Sequence, residues 1–461
     1  MNPIGKTFTL CGLIVILLLL LHLLPPMSLF GYRLRPVNIL GDLFDAPVSS
    51  DILSDNPSAD AHRPCITVQK QKKTTDSVAD GGQSIETFSD QGKEYLDSFF
   101  RKLSEAGGSS RPVRIAYFGD SFIEGDIMTD ELREMMQTRW GGEGPGWIDA
   151  ASEINRGFRR TVRQSFSGIE AYQVVSKPFD SQRQGLQQRY FIPSENASIS
   201  IFATGAFRHA SRWTTADLFF KSPAGISVTA RVDDGEEIVQ TFEPSDRIRM
   251  WHTDKSNRKI DYRFTGVGAE SVLYGVALES KRGVILDNYS MRGSSGHSIA
   301  NIPLSVLQSF ARQRPTDLIV LHFGLNAVNE QSSRLEITNY GRRMQRVIRH
   351  LKEAFPDIPV LVMSVPDRAC RDENGISTMK NIEAMVSVQT DVARKSDAAF
   401  FNLFRAMGGK GSMSALTRQG LANKDYTHLN HRGGKIIAGY IFRAFVKSYD
   451  SYLRQQSHVH E

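Results

Sequence analysis

In the C-terminal part of the chain, short apolar runs alternate with longer stretches of helical periodicity. GVILDNYS precedes NIPLSVLQSFARQR, TDLIVLHFG precedes RLEITNYGRRMQRVIRHLKEAF, and IPVLVMSVP precedes STMKNIEAMVSVQTDVARKSD. AAFFNLF follows, and an amphipathic helix is predicted from about Arg432 to Leu453. Runs that are apolar on both faces must be covered on both faces, so the alternation predicts a parallel sheet between two layers of helices. The same pattern begins earlier, in RIAYFGDSFIEGD (114–126), where a strand Ile115–Phe118 stops at Gly119-Asp120-Ser121. Ile127, Leu132, Met135 and Met136 then mark a helix between Asp126 and Trp140. Upstream, Phe88, Tyr95, Leu96, Phe99, Phe100 and Leu103 predict a helix from Ser84 to a stop at Gly107-Gly108.

Between Gly157 and Glu279 the texture changes. Runs such as SISIFAT, DLFFK, ISVTARV, KIDYRF and SVLYGVAL recur between turn signals, without a helical period. This segment is expected to form an inserted β-sandwich or jelly roll over 157–279, because strand and helix alternation resumes after it. The expected fold class is therefore α/β: a discontinuous parallel-sheet domain over 84–156 and 280–461, interrupted by an all-β module. GGEGPG at 141–146 follows a helix rather than a strand, the wrong context for a dinucleotide-binding fingerprint, and is expected as a loop.

The N-terminus differs from everything downstream. TFTLCGLIVILLLLLHLL, Thr7–Leu24, carries no charge except a possible one on His22. Residues 1–26 are expected to enter or cross a membrane as an uncleaved anchor, since PPMSLFGYRLR beyond the run has no small-x-small cleavage site. Residues 27–83, rich in Pro, Ser, Asp and Lys, are expected to form a flexible stalk. That placement puts the folded part on the far side of an inner membrane, in the periplasm, or outside the cell if the segment is cleaved. The net charge of +6 over 461 residues is too small and too dispersed to argue for nucleic acid. Cys11, Cys65 and Cys370 fit neither a disulfide framework nor a zinc site, and at most one bridge, Cys65 with Cys370, is open to them.

Sites in open parallel sheets lie beyond the carboxyl ends of the strands. The polar residues expected there are Gly119-Asp120-Ser121, the loop Gly293-Ser294-Ser295-Gly296-His297, Gly324-Leu325-Asn326, and KDYTHLN with Asp425 and His428. Taken singly each is a turn, because Gly, Asp, Asn and Ser are the usual residues of chain reversals. Together they supply what a serine hydrolase needs: a hydroxyl, an imidazole to take its proton, a carboxylate to fix the imidazole tautomer, and donors for an oxyanion. Asp425 and His428 are the one acid-x-x-histidine pair in the chain, although about one is expected by chance. His322, inside an apolar run, is expected to be a core histidine, and His297 and His431 loop residues.

In order and spacing these blocks resemble the SGNH, or GDSL-like, hydrolases. Gly119-Asp120-Ser121 matches the first block, Gly296 in GSSGHS looks like the second-block glycine, Gly324-Leu325-Asn326 resembles the third block, and Asp425-Tyr426-Thr427-His428 matches the last. Ala327 departs from the commoner Gly-x-Asn-Asp of that family. The inserted β-rich segment, GDSFIEGDIMTDELREMMQTRWGGEGPGW and AMGGKGSM narrow the likeness to Gram-negative O-acetylpeptidoglycan esterases. The resemblance implies Ser121 as nucleophile, His428 as base and Asp425 as its partner. The Ser121 N–H, Gly296 N–H and Asn326 side chain would form the oxyanion hole, and no metal or cofactor is implied. It implies an acetylesterase acting on an O-acetylated glycan, peptidoglycan first, with acetyl-xylan hydrolysis or acetyl transfer to a glycan as alternatives, and a non-catalytic glycan-binding protein as a more distant one. Trp213 and Trp251 in the insertion are candidates for stacking on sugar rings.

Overall fold

The computed structural model describes residues 28–29, 32–33, 83–88, 95–373 and 375–459, and the chain divides into two compact units, Met1–Lys73 and Thr74–Glu461. In the first unit the described residues form a short antiparallel pairing of β1 (Ser28–Leu29) with β2 (Tyr32–Arg33). The expected anchor over 1–26, most of the expected stalk, and Cys11 and Cys65 lie outside the described residues. Among the described residues no helix is long and apolar enough to cross a membrane.

The second unit is built on five parallel strands. The first, β3 (Val113–Gly119), is buried along its whole length. A long antiparallel excursion follows: β4 (Gly146–Asp149), β5 (Val162–Gln173), β6 (Arg189–Ala203), β7 (Trp213–Ser222), β8 (Ile226–Val232), β9 (Glu237–Phe242), β10 (Ser245–Asn257), β11 (Lys259–Thr265) and β12 (Val272–Glu279). The parallel sheet then resumes with β13 (Val284–Ser290), β14 (Leu318–His322) and β15 (Val360–Met363). After a hairpin of β16 (Ala369–Asp372) and β17 (Gly375–Thr378), β18 (Ala399–Phe401) completes it, in the order β13-β3-β14-β15-β18. One group of helices, Asp97–Ser104, Thr129–Trp140 and His431–Val459, packs together, and a second comprises Leu304–Gln313, Arg334–Ala354 and Ile382–Lys395. The Arg334–Ala354 helix starts at a capping box: Ser333 Oγ accepts the Glu336 N–H at 3.2 Å and Glu336 Oε2 accepts the Ser333 N–H at 2.7 Å.

Two expectations near the sheet edge are corrected. Among the described residues, the helix predicted from Ser84 is seen over Asp97–Ser104 alone. Before it, Glu86 exchanges two 2.8 Å backbone hydrogen bonds with Phe400. β18 is an edge strand with unpaired backbone groups, and satisfying them outweighs the weak helical period of the first residues. Likewise Ser377 and Thr378, expected to open a helix, belong to β17, and that helix begins at Ile382.

The nine strands β4–β12 form one hydrogen-bonded antiparallel network. β12 is buried on both faces. One side of the network packs into its own apolar cluster around Ile199, Leu218, Val276 and Phe264. The other meets the parallel-sheet core through Trp147, Phe219 and Tyr274, whose rings lie 6.0, 5.6 and 5.6 Å from that of Phe310. Beside this seam Arg314 binds Asp287 of β13 at 2.7 Å and Glu279 of β12 at 2.6 Å, all three buried. A buried charge left alone would cost about 3–5 kcal/mol, so this cluster fixes the antiparallel sheet against the strand that resumes the α/β core.

Candidate active site

β3 delivers Ser121 to the carboxyl end of the sheet. After Gly119 the chain turns sharply because Asp120 Oδ1 accepts the Phe122 N–H at 3.0 Å, and a single helical turn, Glu124–Asp126, leads toward the Thr129–Trp140 helix. The Ser121 hydroxyl stands at this corner, 2.9 Å from His428 Nε2. His428 lies on a loop closed by an antiparallel bridge between Ala422 and Leu429, with the Asn423 N–H donating to the His428 carbonyl at 2.8 Å.

The loop reaches Ser121 because the helix after it packs closely. A Cβ on Gly434 would sit 1.8 Å from the Ile127 carbonyl oxygen, an impossible contact for any other residue, so the helix's first turn rests directly on the segment that follows the serine.

Asp425 completes the chain of contacts. Its Oδ2 lies 2.7 Å from His428 Nδ1, and its Oδ1 accepts the backbone N–H groups of Thr427 at 2.9 Å and His428 at 3.0 Å. Partial burial disfavours its charged form, but the bonds from the His428 backbone and ring and from Thr427 outweigh it and hold the carboxyl below its ordinary range. Nδ1 of His428 is thereby the protonated nitrogen and Nε2 the one free to accept from Ser121. The hairpin β16–β17, which the sequence pattern had not shown, braces the loop: the Ala369 N–H donates to the Tyr426 carbonyl at 3.0 Å.

The opposite side of Ser121 is built around Ser294. Asn326, on a single helical turn after β14, donates one amide proton to Asp120 Oδ2 at 3.1 Å and the other to the Ser294 carbonyl at 3.0 Å. The Gly296 N–H donates to Ser294 Oγ at 3.0 Å. Gly296 has φ 86°, and a Cβ there would lie 2.8 Å from the Phe323 ring, so only glycine brings this N–H to its place. The Ser121 N–H has no acceptor among the described residues. The structure thus gathers all five residues expected at the site, Ser121, Gly296, Asn326, Asp425 and His428, and adds Asp120 and Ser294, which connect them. Burial pushes the Asp120 carboxyl up to about 6, only partly offset by the Phe122 N–H, the nearby His428 and the Asn326 amide.

Other candidates fall outside. His322 is buried, with Nδ1 3.1 Å from the Tyr117 hydroxyl, and burial lowers its pKa to about 3, as befits a core histidine. Trp213 is 0% exposed, so its expected role in sugar stacking is corrected: the ring fills the core of the antiparallel sheet. Trp251 is partly buried between Phe242 and Tyr262, at 5.9 and 6.2 Å. A roomy surface cavity of about 840 Å³, lined by Gly141, Glu143, Lys281 and Gly283, lies at the amino-terminal ends of β3 and β13, away from Ser121. Among the described residues no group of His, Cys, Asp and Glu side chains could hold a metal ion.

Residues 265–436 match the GDSL-like lipase/acylhydrolase family, a span that takes in Gly296, Asn326, Asp425 and His428. Ser121 precedes it, separated by the antiparallel excursion. A solved structure of a peptidoglycan O-acetylesterase superposes with a TM-score of 0.63 at 20% identity, covering 77% of this chain and 96% of that one. A family two carbohydrate esterase from Cellvibrio japonicus covers 63% of this chain and 99% of its own at 7% identity, with a TM-score of only 0.26. Curated protein sequences give no match. Over residues 265–436 the chain thus matches the GDSL-like lipase/acylhydrolase family, and around that span its parallel sheet shares the fold of the superposed esterase structure.

Proposed function

We propose that the protein is a serine acetylesterase that removes O-acetyl groups from an envelope polysaccharide, with peptidoglycan as the substrate. The observation that carries this is the unbroken sequence of contacts Ser121 Oγ–His428 Nε2 and His428 Nδ1–Asp425 Oδ2, at 2.9 and 2.7 Å. His428 takes the hydroxyl proton as Ser121 attacks the ester carbonyl, then gives it to the departing sugar oxygen. Ser121 is left acetylated. A water that loses its proton to His428 attacks the acetyl carbon, the bond to Ser121 Oγ breaks, and acetate leaves. Asp425 holds the imidazole in the required tautomer throughout.

The choice of glycan is supported by the fold shared with a peptidoglycan O-acetylesterase over 96% of that protein. It is supported also by the apolar Thr7–Leu24 run, which would keep the enzyme at an envelope. In the same proposal Gly296, Asn326 and the Ser121 N–H stabilise the oxyanion. The test is acetate release by the full chain from O-acetylated peptidoglycan and from O-acetylated xylan, with and without a glycan acceptor. Faster release from peptidoglycan supports the proposal. Preference for xylan overturns the substrate, and acetyl transfer without net acetate overturns hydrolysis.

A further inference from the structure

Beside the oxyanion loop lies a cleft of about 630 Å³ that no catalytic step uses. Ser294, Ser295 and His297 form one wall, Val175 from the connection between β5 and β6 another, and Arg343 and Arg346 of the Arg334–Ala354 helix a third. The cleft is joined to the reaction centre through Ser294, whose carbonyl holds Asn326 and whose hydroxyl holds the Gly296 N–H. A molecule filling it with its ester at Ser121 would therefore touch the same loop twice.

The charge of this cleft is one-sided. Arg343 and Arg346 are exposed and one turn apart, hence side by side, and neither makes an ion pair among the described residues. An arginine on a helix surface is ordinarily just hydrated. Other arginines close to the site are engaged, however: Arg292 meets Glu124 at 2.7 Å, and Arg342, on the same helix, donates to Asn339 at 2.9 Å. No carboxylate lines the cleft. His297, 3.1 Å from Ser295 Oγ and 5.0 Å from the Tyr340 ring, registers the uncompensated field: burial first, then the charges of Arg343 and Arg346, lower its pKa to about 4. The far wall is anchored, since Gln184 donates to the Asn301 carbonyl at 3.1 Å and Ser298 donates to Gln188.

We propose that Arg343 and Arg346 form a subsite for a carboxylate carried by the glycan whose ester is cleaved, so that the enzyme selects acidic over neutral O-acetylated glycans. Two guanidinium forks facing one cleft suit a planar carboxylate. This deepens the esterase reading and rests on it. Peptidoglycan offers two sources of the group, the lactyl carboxylate of peptide-free strands and the carboxylates of the stem peptide.

The test compares wild type with an Arg343→Gln/Arg346→Gln double variant on 4-nitrophenyl acetate, O-acetylated xylan, and O-acetylated peptidoglycan strands with and without stem peptides. The expected result is a roughly 10- to 100-fold loss of kcat/KM on the acidic strands, mostly through KM, with less than about a twofold change on the two neutral esters. Loss confined to peptide-bearing strands assigns the stem carboxylates, and loss on peptide-free strands the lactyl group. Equal loss on neutral and acidic esters, or none on either strand, overturns the subsite. Should the wild type hydrolyse no ester at all, the esterase reading fails by itself. The subsite is then decided by calorimetry on Ser121→Ala, using peptidoglycan strands against chitotetraose. Binding of the strands that disappears with both arginines supports it, and equal binding with or without them overturns it.

Discussion

The two sides of Ser121 are prepared differently. On the His428 side every contact is one the proposed mechanism would use: the serine is already on Nε2, and Asp425 already fixes Nδ1. On the Asn326 side the donors are spent on the protein itself, both amide protons on Asp120 and Ser294 and the Gly296 N–H on the Ser294 hydroxyl. A base must be aligned before the reaction starts, whereas an oxyanion exists only once attack has begun. Donors parked on weaker acceptors can be exchanged to the oxyanion as its charge develops. Asp120 is therefore more than the residue that shapes the turn: it sets how firmly Asn326 is held.

Mutations can break this contrast at either side. The largest effect is expected on the aligned side. Ser121→Ala or His428→Ala should lower acetyl-ester hydrolysis by about 10⁴- to 10⁶-fold with unchanged circular dichroism, measured as kcat on 4-nitrophenyl acetate. Asp425→Asn should lower kcat by roughly 10²- to 10⁴-fold, since the imidazole loses its tautomer but remains in place. On the donor side Asn326→Ala should reduce kcat by about 10²- to 10³-fold while KM changes little, the signature of a group that acts on the transition state.

Asp120→Asn sharpens the comparison through stability. Its folded-state pKa, about 6, lies above its ordinary 3.8, so the fold favours the protonated acid. That stabilisation is complete below about pH 4 and is lost as pH rises through 6, a difference of roughly 3 kcal/mol. Urea midpoints of the wild type should therefore fall between pH 4 and 7 more steeply than those of Asp120→Asn. Parallel curves would show that burial does not raise the Asp120 carboxyl as described above.

Much of this was legible in the sequence, and for physical reasons. The parallel strands are buried on both faces, so they read as apolar runs, and three of them, β3, β13 and β14, end at polar loops that carry Ser121, Gly296 and Asn326. Ser121, Asp425 and His428 could be singled out because a hydroxyl, a carboxylate and an imidazole are the residue types a serine hydrolase needs, and Gly296 and Asn326 through the resemblance of their loops to the GDSL-like blocks. Ser294 could not, since a serine in a Gly/Ser loop carries no signal of its two hydrogen bonds. The hairpin β16–β17 was equally hidden: Ala369 braces the catalytic loop through its backbone N–H, to which the side chain is indifferent. Trp213 misled for a related reason, because an aromatic on a sheet looks the same in sequence whether it faces a sugar or the core.

The central claim, that Ser121 is the nucleophile, is tested most directly by rapid acid quenching of the full chain during turnover of an acetyl ester, followed by peptide mass spectrometry. The account predicts the mass of one acetyl group on the peptide containing Ser121, accumulating in wild type and absent in Ser121→Ala. Acetate release with no label on that peptide, or undiminished turnover by the variant, would contradict it.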